Sequence, residues 1–288
     1  MSILAASGPS NARAPCGTLP GVSASPSPFL SAALEAARGA GRLLRDELGG
    51  TRRIRHKRSV IDLVTEMDQR AEAFIVERLR GEFPDHAILA EESGASDGRS
   101  EYRWLIDPLD GTTNYAHGLP LYAVSVALEQ AGVVVLGVGY DPSRDECFVA
   151  ERGRGATLNG EPIRVSSVDT LDRALLVTGF PYDIRTTAET NLPEYAALSM
   201  RAQAVRRLGS AVLDLCYVGC GRLEGFWEFA LGPWDMAAGG LIVQEAGGRV
   251  TNVRGGPWRL EGPGVLATNR AVHDAILAEL AAARATRS

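Results

Sequence analysis

The sequence predicts a mixed α/β (α+β) protein whose sheets are covered by helices, and three observations carry that expectation. A succession of apolar, β-branched-rich runs punctuated by Gly, Pro and Asp occupies residues 87–153. The second half alternates strand-like and helix-like runs. Segments with helical spacing of apolar residues stand at both ends of this pattern.

Each element has a local reason. Residues 27–48 carry Phe29, Leu30, Ala33, Ala37, Leu43, Leu44 and Leu48 at helical intervals, and Gly49-Gly50 stops the helix. The polar, basic stretch 51–59 is expected to be a mobile hairpin or loop, followed by a short strand at 61–64. Thr65-Glu66-Met67-Asp68 matches a capping box, and Met67, Ala71, Phe74, Ile75 and Leu79 then fall on one face until Gly81 and Pro84. Strands follow at 87–92, 102–108, 121–130, 132–142 and 146–153, the middle pair read as a hairpin through Ala131-Gly132. Beyond them come a strand at 174–181, a helix around 190–202, and a short run at 204–209. A helix at 210–222, a strand at 224–229, a helix at 234–248 and a closing helix from 271 complete the pattern. No internal repeat is evident.

Composition narrows the function. A chain of 288 residues has room for about two domains or subdomains and buries a core without staples. A net charge of −5 argues against a general nucleic-acid binder or an anionic membrane surface as main partner. No apolar run is long enough to span a membrane. Cys16, Cys147, Cys216 and Cys220 suggest no disulfide framework, and the last two read as core residues on one helix in a reducing, cytoplasmic compartment. Residues 1–27, rich in Ser, Pro, Gly and Ala, lack the pattern of a signal peptide and are expected to be a disordered extension. His56, His86, His117 and His273 are scattered, so a zinc hydrolase fits poorly. There is no G-x-G-x-x-G or G-x-x-x-x-G-K-[ST] loop.

The informative segment is Trp104-Leu105-Ile106-Asp107-Pro108-Leu109-Asp110-Gly111-Thr112-Thr113-Asn114. Pro108 holds the chain off the helical path where the strand ends, so that Asp107 and Asp110 can point to one place. Gly111 allows close approach of a ligand, and a helix starting at Gly111-Thr112 would offer free N–H groups to an anion. Carboxylates beside an anion site require cations between them, and hard oxygen ligands favour Mg²⁺. Asp-Pro and Asp-Gly are also common turn chemistry. Further acids qualify that reading. Glu91-Glu92 end an apolar run, and one of the two could face the same place. Asp235 opens an apolar helix and Asp68 sits in a capping box, and local sequence alone reads each as a cap, although a capping Asp235 can also reach a cation.

Together these residues resemble the inositol monophosphatase family, within the larger group that includes fructose-1,6-bisphosphatases and bisphosphate nucleotidases. The likeness rests on D-L-V-T-x-x-D at 62–68, E-E at 91–92, W-L-I-D-P-L-D-G-T-T-N at 104–114, W-D-M-A-A-G at 234–239 and E-A-G-G at 245–248, and it extends from about residue 29 to 280. It implies a layered αβαβα sandwich and a single catalytic unit over 28–288, with halves of about 28–150 and 151–288. It implies two to three Mg²⁺ ions. Glu91, Asp107 and the Leu109 carbonyl match the ligands of the first, Asp107, Asp110 and Asp235 those of the second, and Glu91 also reaches a weaker third. Gly111 and Thr112 match phosphate donors, and Thr112 with Asp68 the pair that orients the attacking water. Glu228 matches an acid that contacts an inositol hydroxyl, Gly209-Ser210-Ala211 a segment lining the ring pocket, Arg206 a substrate-side or interface position, and Lys57 a lysine of a mobile loop.

The activity implied is Mg²⁺-dependent hydrolysis of a phosphate monoester, myo-inositol monophosphate before others, by a homodimer. Histidinol phosphate, 3′-phosphoadenosine 5′-phosphate and fructose 1,6-bisphosphate are the rival small-molecule substrates. A regulatory partner of the transcription machinery is the rival of another class, resting on the R-R-L-G-S-A-V-L-D-L stretch.

Overall fold

A computed structural model of the chain describes residues 27–50, 54–56 and 63–285. In chain order its elements are α1 (Pro28–Asp46), β1 (Ile54–His56), β2 (Leu63–Thr65), α2 (Glu66–Glu82), β3 (Ala87–Ala90), β4 (Gly94–Ser96), β5 (Tyr102–Asp110), α3 (Thr112–Ala116), β6 (Ala123–Gln130), β7 (Val133–Asp141), β8 (Glu146–Glu151), β9 (Ala156–Leu158) and β10 (Glu161–Pro162). The second half supplies β11 (Leu175–Thr178), α4 (Leu192–Ser199), β12 (Ala204–Arg206), α5 (Ala211–Gly219), β13 (Gly225–Glu228), α6 (Pro233–Glu245), β14 (Arg249–Thr251), β15 (Val265–Thr268) and α7 (His273–Ala285).

The strands form a large sheet in the order β10-β9-β8-β7-β6-β5-β3-β4 and a smaller one in the order β12-β11-β13-β15-β14. Helices α1 and α2 pack together on one face of the large sheet, α5 and α6 fill the space between the sheets, and α4 and α7 cover the far face of the small one. This is the αβαβα layering that the sequence resemblance implies. On β5 the layers separate residue by residue: Trp104 and Ile106 enter the core beneath α1 and α2, while Leu105 enters the core between the sheets. A strand buried on both faces is apolar throughout, which is why this run shows no polar alternation.

Local chemistry fixes the ends. Ser27, expected to close the disordered tail, instead caps α1, its Oγ accepting from Leu30 N at 3.2 Å. Thr65 and Asp68 form the expected capping box: Asp68 Oδ2 accepts from Thr65 N at 2.7 Å, while Thr65 Oγ1 accepts from Met67 N at 3.1 Å. The β6–β7 hairpin turns through Ala131 (φ 47°) and Gly132 (φ 85°), both in the left-handed region that a two-residue turn of this kind needs.

Several expectations are corrected. The buried face of α1 is Ala32, Ala33, Ala36, Ala37, Ala40 and Leu44, whereas Phe29, Leu30, Leu43 and Leu48 are only half-buried. Small side chains win because the helix lies close on its neighbours: a Cβ at Gly41 would stand 2.4 Å from the Tyr140 ring. Phe74, expected inside, is exposed at the seam between α1 and α2, its ring over Gly39. Strand β5 does not end at Pro108 but runs on to Asp110 through a bulge. Asp107 pairs with Ser125 and Asp110 with Ala123, so β5 carries one extra residue there. Pro108 lacks the N–H that a regular ladder would use, and a bulge accommodates it. The expected strand at 61–64 is seen as β2, which pairs antiparallel with β1, while residues 1–26, Lys57 and Cys16 lie outside the described residues.

The layers also meet closely at Gly137 of β7, where an added Cβ would stand 2.7 Å from Ala238 Cα and 2.8 Å from Ala238 O on α6. Both obstacles are backbone, so they cannot rotate away. Gly137→Ala is therefore expected to destabilise the protein by about 1–3 kcal/mol. Thermal unfolding checks it: a Tm lowered by several degrees agrees, and an unchanged Tm contradicts the packing described.

Candidate active site

The bulge at the end of β5 aims its two aspartates into one cavity of about 340 Å³. Asp107 is buried, with Oδ1 accepting from Leu109 N at 2.9 Å. Asp110 accepts from Val212 N at 2.7 Å and from the Ser210 hydroxyl, which fastens the first turn of α5 to the end of β5. Asn114 of α3 holds the same segment by donating to Leu208 O and to Leu121 O, each at 2.8 Å. Gly209, Ser210 and Ala211 line the cavity as a result.

Two other acids arrive from neighbouring elements. Strand β3 runs parallel to β5, with Ala90 opposite Ile106, and Glu91 N donates to Ile106 O at 3.1 Å. Glu91 thus ends its strand beside Asp107 and lines the cavity, while the N–H groups of Glu92 and Ser93 turn to Glu72. Of the adjacent pair left open by the sequence, Glu91 is the one that faces in. Asp235 is the third residue of α6, accepting from Gly232 N at 2.7 Å as a cap does. Ser125 Oγ, opposite Asp107, donates to Trp234 O at 3.0 Å and so delivers Asp235 to the same cavity.

Gly111 (φ 90°) joins β5 to α3, and a side chain there would strike Leu121 O at 2.8 Å and Gly209 O at 3.2 Å. Only glycine fits this bend and spacing. Thr112 Oγ1 lies 3.0 Å from Asp68 Oδ1 and 3.0 Å from Leu109 O. Asp68 therefore divides its carboxylate, one oxygen capping α2 and the other meeting Thr112.

Glu228, at the end of β13, is buried in the cavity wall against Gly179, where a Cβ would come within 2.1 Å of its carboxylate. Arg206 is exposed and does not line the cavity. Arg207, the next residue, does. A single step along an extended chain reverses the direction of a side chain, so the sequence located the segment but not the residue. Asp214 also lines the cavity and was missed; its signal was a lone acid one turn into the apolar run Val212–Val218. Phe180, Pro181 and Tyr182 complete a wall that no motif announced.

The electrostatics follow from burial. Asp107 and Asp235 are held well above the usual carboxylate range, first by burial and then by the charges around them, Glu91 and Asp110 in both cases. Asp110 is pushed up to about 6 by burial, against the lowering effect of its bonds from Ser210 and Val212. Burial also raises Asp68, opposed by its bonds from Thr65 and Thr112. Among the described residues no three or more His, Cys, Asp or Glu side chains form a group that could hold a metal ion as they stand. The fit to a cation rests on donor chemistry: Glu91, Asp107, Asp110 and Asp235 are hard oxygen donors sharing one cavity, where their mutual repulsion is relieved by a divalent cation or by protons.

Known proteins share this sequence and fold over most of the chain. The model of the inositol monophosphatase family matches residues 25–285. An inositol-1-monophosphatase of Synechocystis sp. is 47% identical over 255 residues, 88% of this chain and 89% of its own length. A protein of Pseudomonas aeruginosa named Nus factor SuhB is 46% identical over 258 residues, 87% of this chain and 94% of its own. Among solved structures, an inositol monophosphatase from Anabaena (Nostoc) sp. superposes with a TM-score of 0.81 at 45% identity, covering 88% of this chain and 95% of that one.

Burial, followed by the nearby charge of Asp110, pushes Glu228 up to about 8 from an ordinary 4.5. The folded protein then binds one proton more than the unfolded chain between these values, so this residue makes stability fall as pH rises from about 4.5 to 8. Glu228→Gln removes the effect. In chelator-treated protein, the Tm of the variant relative to wild type is expected to rise between pH 5 and pH 8. A difference that does not change with pH contradicts the burial of an ionisable Glu228.

Proposed function

The chain belongs to the inositol monophosphatase family, and we propose that it hydrolyses a phosphate monoester, myo-inositol monophosphate before others, with two to three Mg²⁺ ions. The observation that carries the reading is the convergence of Glu91, Asp107, Asp110 and Asp235 on a cavity that also presents Gly111 and Thr112. These four carboxylates and the Leu109 carbonyl would hold Mg²⁺, whose positive charge would acidify water and neutralise phosphate oxygens.

The remaining work falls to the chain. Gly111 brings the backbone close, and its N–H with that of Thr112 would hold the phosphate oxygens. When the Thr112 hydroxyl donates to Asp68, its oxygen is left to accept from a water. Asp68, buried and raised, is suited to draw that proton through Thr112 as the water attacks phosphorus in line with the leaving oxygen. The departing alkoxide takes its proton from water, so no phosphoenzyme is required. On the alcohol side, Glu228 and Ala211 would bound the ring, with Asp110 and Asp235 facing its phosphate end. The role given to Arg206 passes to Arg207, which lines the cavity.

We further expect a cytoplasmic homodimer, on the family resemblance. No helix among the described residues is long and apolar enough to cross a membrane. A second reading, a regulatory partner of the transcription machinery, is favoured by the relative named Nus factor SuhB and by the exposed Arg206-Arg207 pair.

A phosphate-release panel of myo-inositol 1-phosphate, histidinol phosphate, 3′-phosphoadenosine 5′-phosphate and fructose 1,6-bisphosphate, with and without Mg²⁺, tests the proposal. Inositol phosphate is expected to be the best substrate, only with Mg²⁺, and Asp235→Asn is expected to lower kcat by about a hundredfold or more with no loss of Tm, since one repelling charge is removed. Near wild-type turnover in that variant, or turnover in chelator, contradicts the mechanism. A wild-type protein inert toward all four esters favours the second reading.

A further inference from the structure

The cavity holds one buried acid that the phosphate chemistry leaves unused. Asp214 lies one turn inside α5, its N–H donating to Ser210 O at 3.0 Å. It is 1% exposed, and its Oδ1 is buried without a hydrogen-bond partner. Its neighbours on the helix, Val212, Leu213, Leu215 and Cys216, are all buried apolar side chains, so an apolar residue here would satisfy the core. A buried acceptor left unpaired is costly, and such groups in a cavity wall mark a place where a ligand supplies the missing partner.

The surroundings say which ligand chemistry fits. Glu228 stands in the same cavity; burial first, and then the charges of Glu228 and Asp110, raise the hold of the Asp214 carboxyl on a proton, while Arg207 opposes them. A second phosphate in this part of the cavity would face two acids against one exposed guanidinium. A polyol brings hydroxyl groups that donate to carboxylate oxygens without adding charge. Gly179 and Ala211 keep the walls beside these acids small.

We propose that Asp214 is a specificity-determining residue, whose unpartnered carboxylate oxygen accepts a hydroxyl of the alcohol portion of the substrate beside Glu228, so that the site selects uncharged polyol monophosphates over bisphosphates and aryl phosphates. The inference rests on the phosphatase reading above and deepens it. It gives the alcohol side two acidic acceptors on different layers of the fold, one from α5 and one from β13.

The test is a ratio. In Mg²⁺, kcat/KM for myo-inositol 1-phosphate divided by kcat/KM for p-nitrophenyl phosphate is measured in wild type and in Asp214→Leu, which keeps the approximate shape but removes both acceptor oxygens. The ratio is expected to fall at least about tenfold, since a site built to pair a substrate hydroxyl discriminates strongly when the pairing is lost. A merely structural role would lower both rates together, and a ratio within about twofold of wild type overturns the proposal. A wild-type protein inert toward both esters refutes the phosphatase reading instead. Saturation transfer from the protein to free myo-inositol in Mg²⁺ then decides Asp214 separately: transfer lost in Asp214→Leu supports it, and equal transfer, or none in wild type, overturns it.

Discussion

Like charges lining one cavity are what the rest of this structure is arranged around. Glu91, Asp107, Asp110 and Asp235 reach a single cavity from β3, β5 and α6, and burial and mutual repulsion raise the hold of the three aspartates on protons. Such a cluster is stable only if its backbone is fixed firmly and positive charge is available. The fixing is visible: each aspartate accepts a backbone N–H, from Leu109, Val212 or Gly232. These bonds orient the carboxylates and offset part of the burial.

The layers serve that arrangement. Parallel pairing of β3 with β5 makes two strands end side by side, which sets Glu91 next to Asp107. The space between the sheets is filled by α5 and α6, whose first turns are tied to β5 and β6 through Asp110 and Ser125. The small sheet contributes Glu228 from the opposite side. Under the proposed function, the phosphate end of the cavity would be built from the large sheet and its helix starts, and the alcohol end from α5 and the small sheet.

Much of this was legible in the residues because short-range chemistry decided it. The Thr65–Asp68 capping box, the left-handed turn at Ala131-Gly132 and the Asp107–Thr112 segment depend on neighbours a few residues apart. What was not legible depends on long-range placement. Whether Glu91 or Glu92, and Arg206 or Arg207, faces the cavity is set by strand pairing. The strands β4, β9, β10, β14 and β15 have two to four residues, too few to show a period. The alanine and glycine face of α1 was hidden because larger side chains at helical spacing look like the core, although close packing on Tyr140 leaves no room for them. Asp214 was passed over because a single acid in an apolar helix carries no motif, only an unpaired oxygen once folded.

The central claim is that the four carboxylates act together as a divalent-cation site. Crystals grown with Mn²⁺ in place of Mg²⁺, and measured at the manganese absorption edge, test it most directly. Anomalous peaks ligated by Glu91, Asp107, Asp110 and Asp235 at roughly 2.1–2.2 Å, lost or weakened in Asp107→Asn, are the expected result. Millimolar Mn²⁺ that leaves this cavity without a peak, while the four side chains stay as described, would contradict the account.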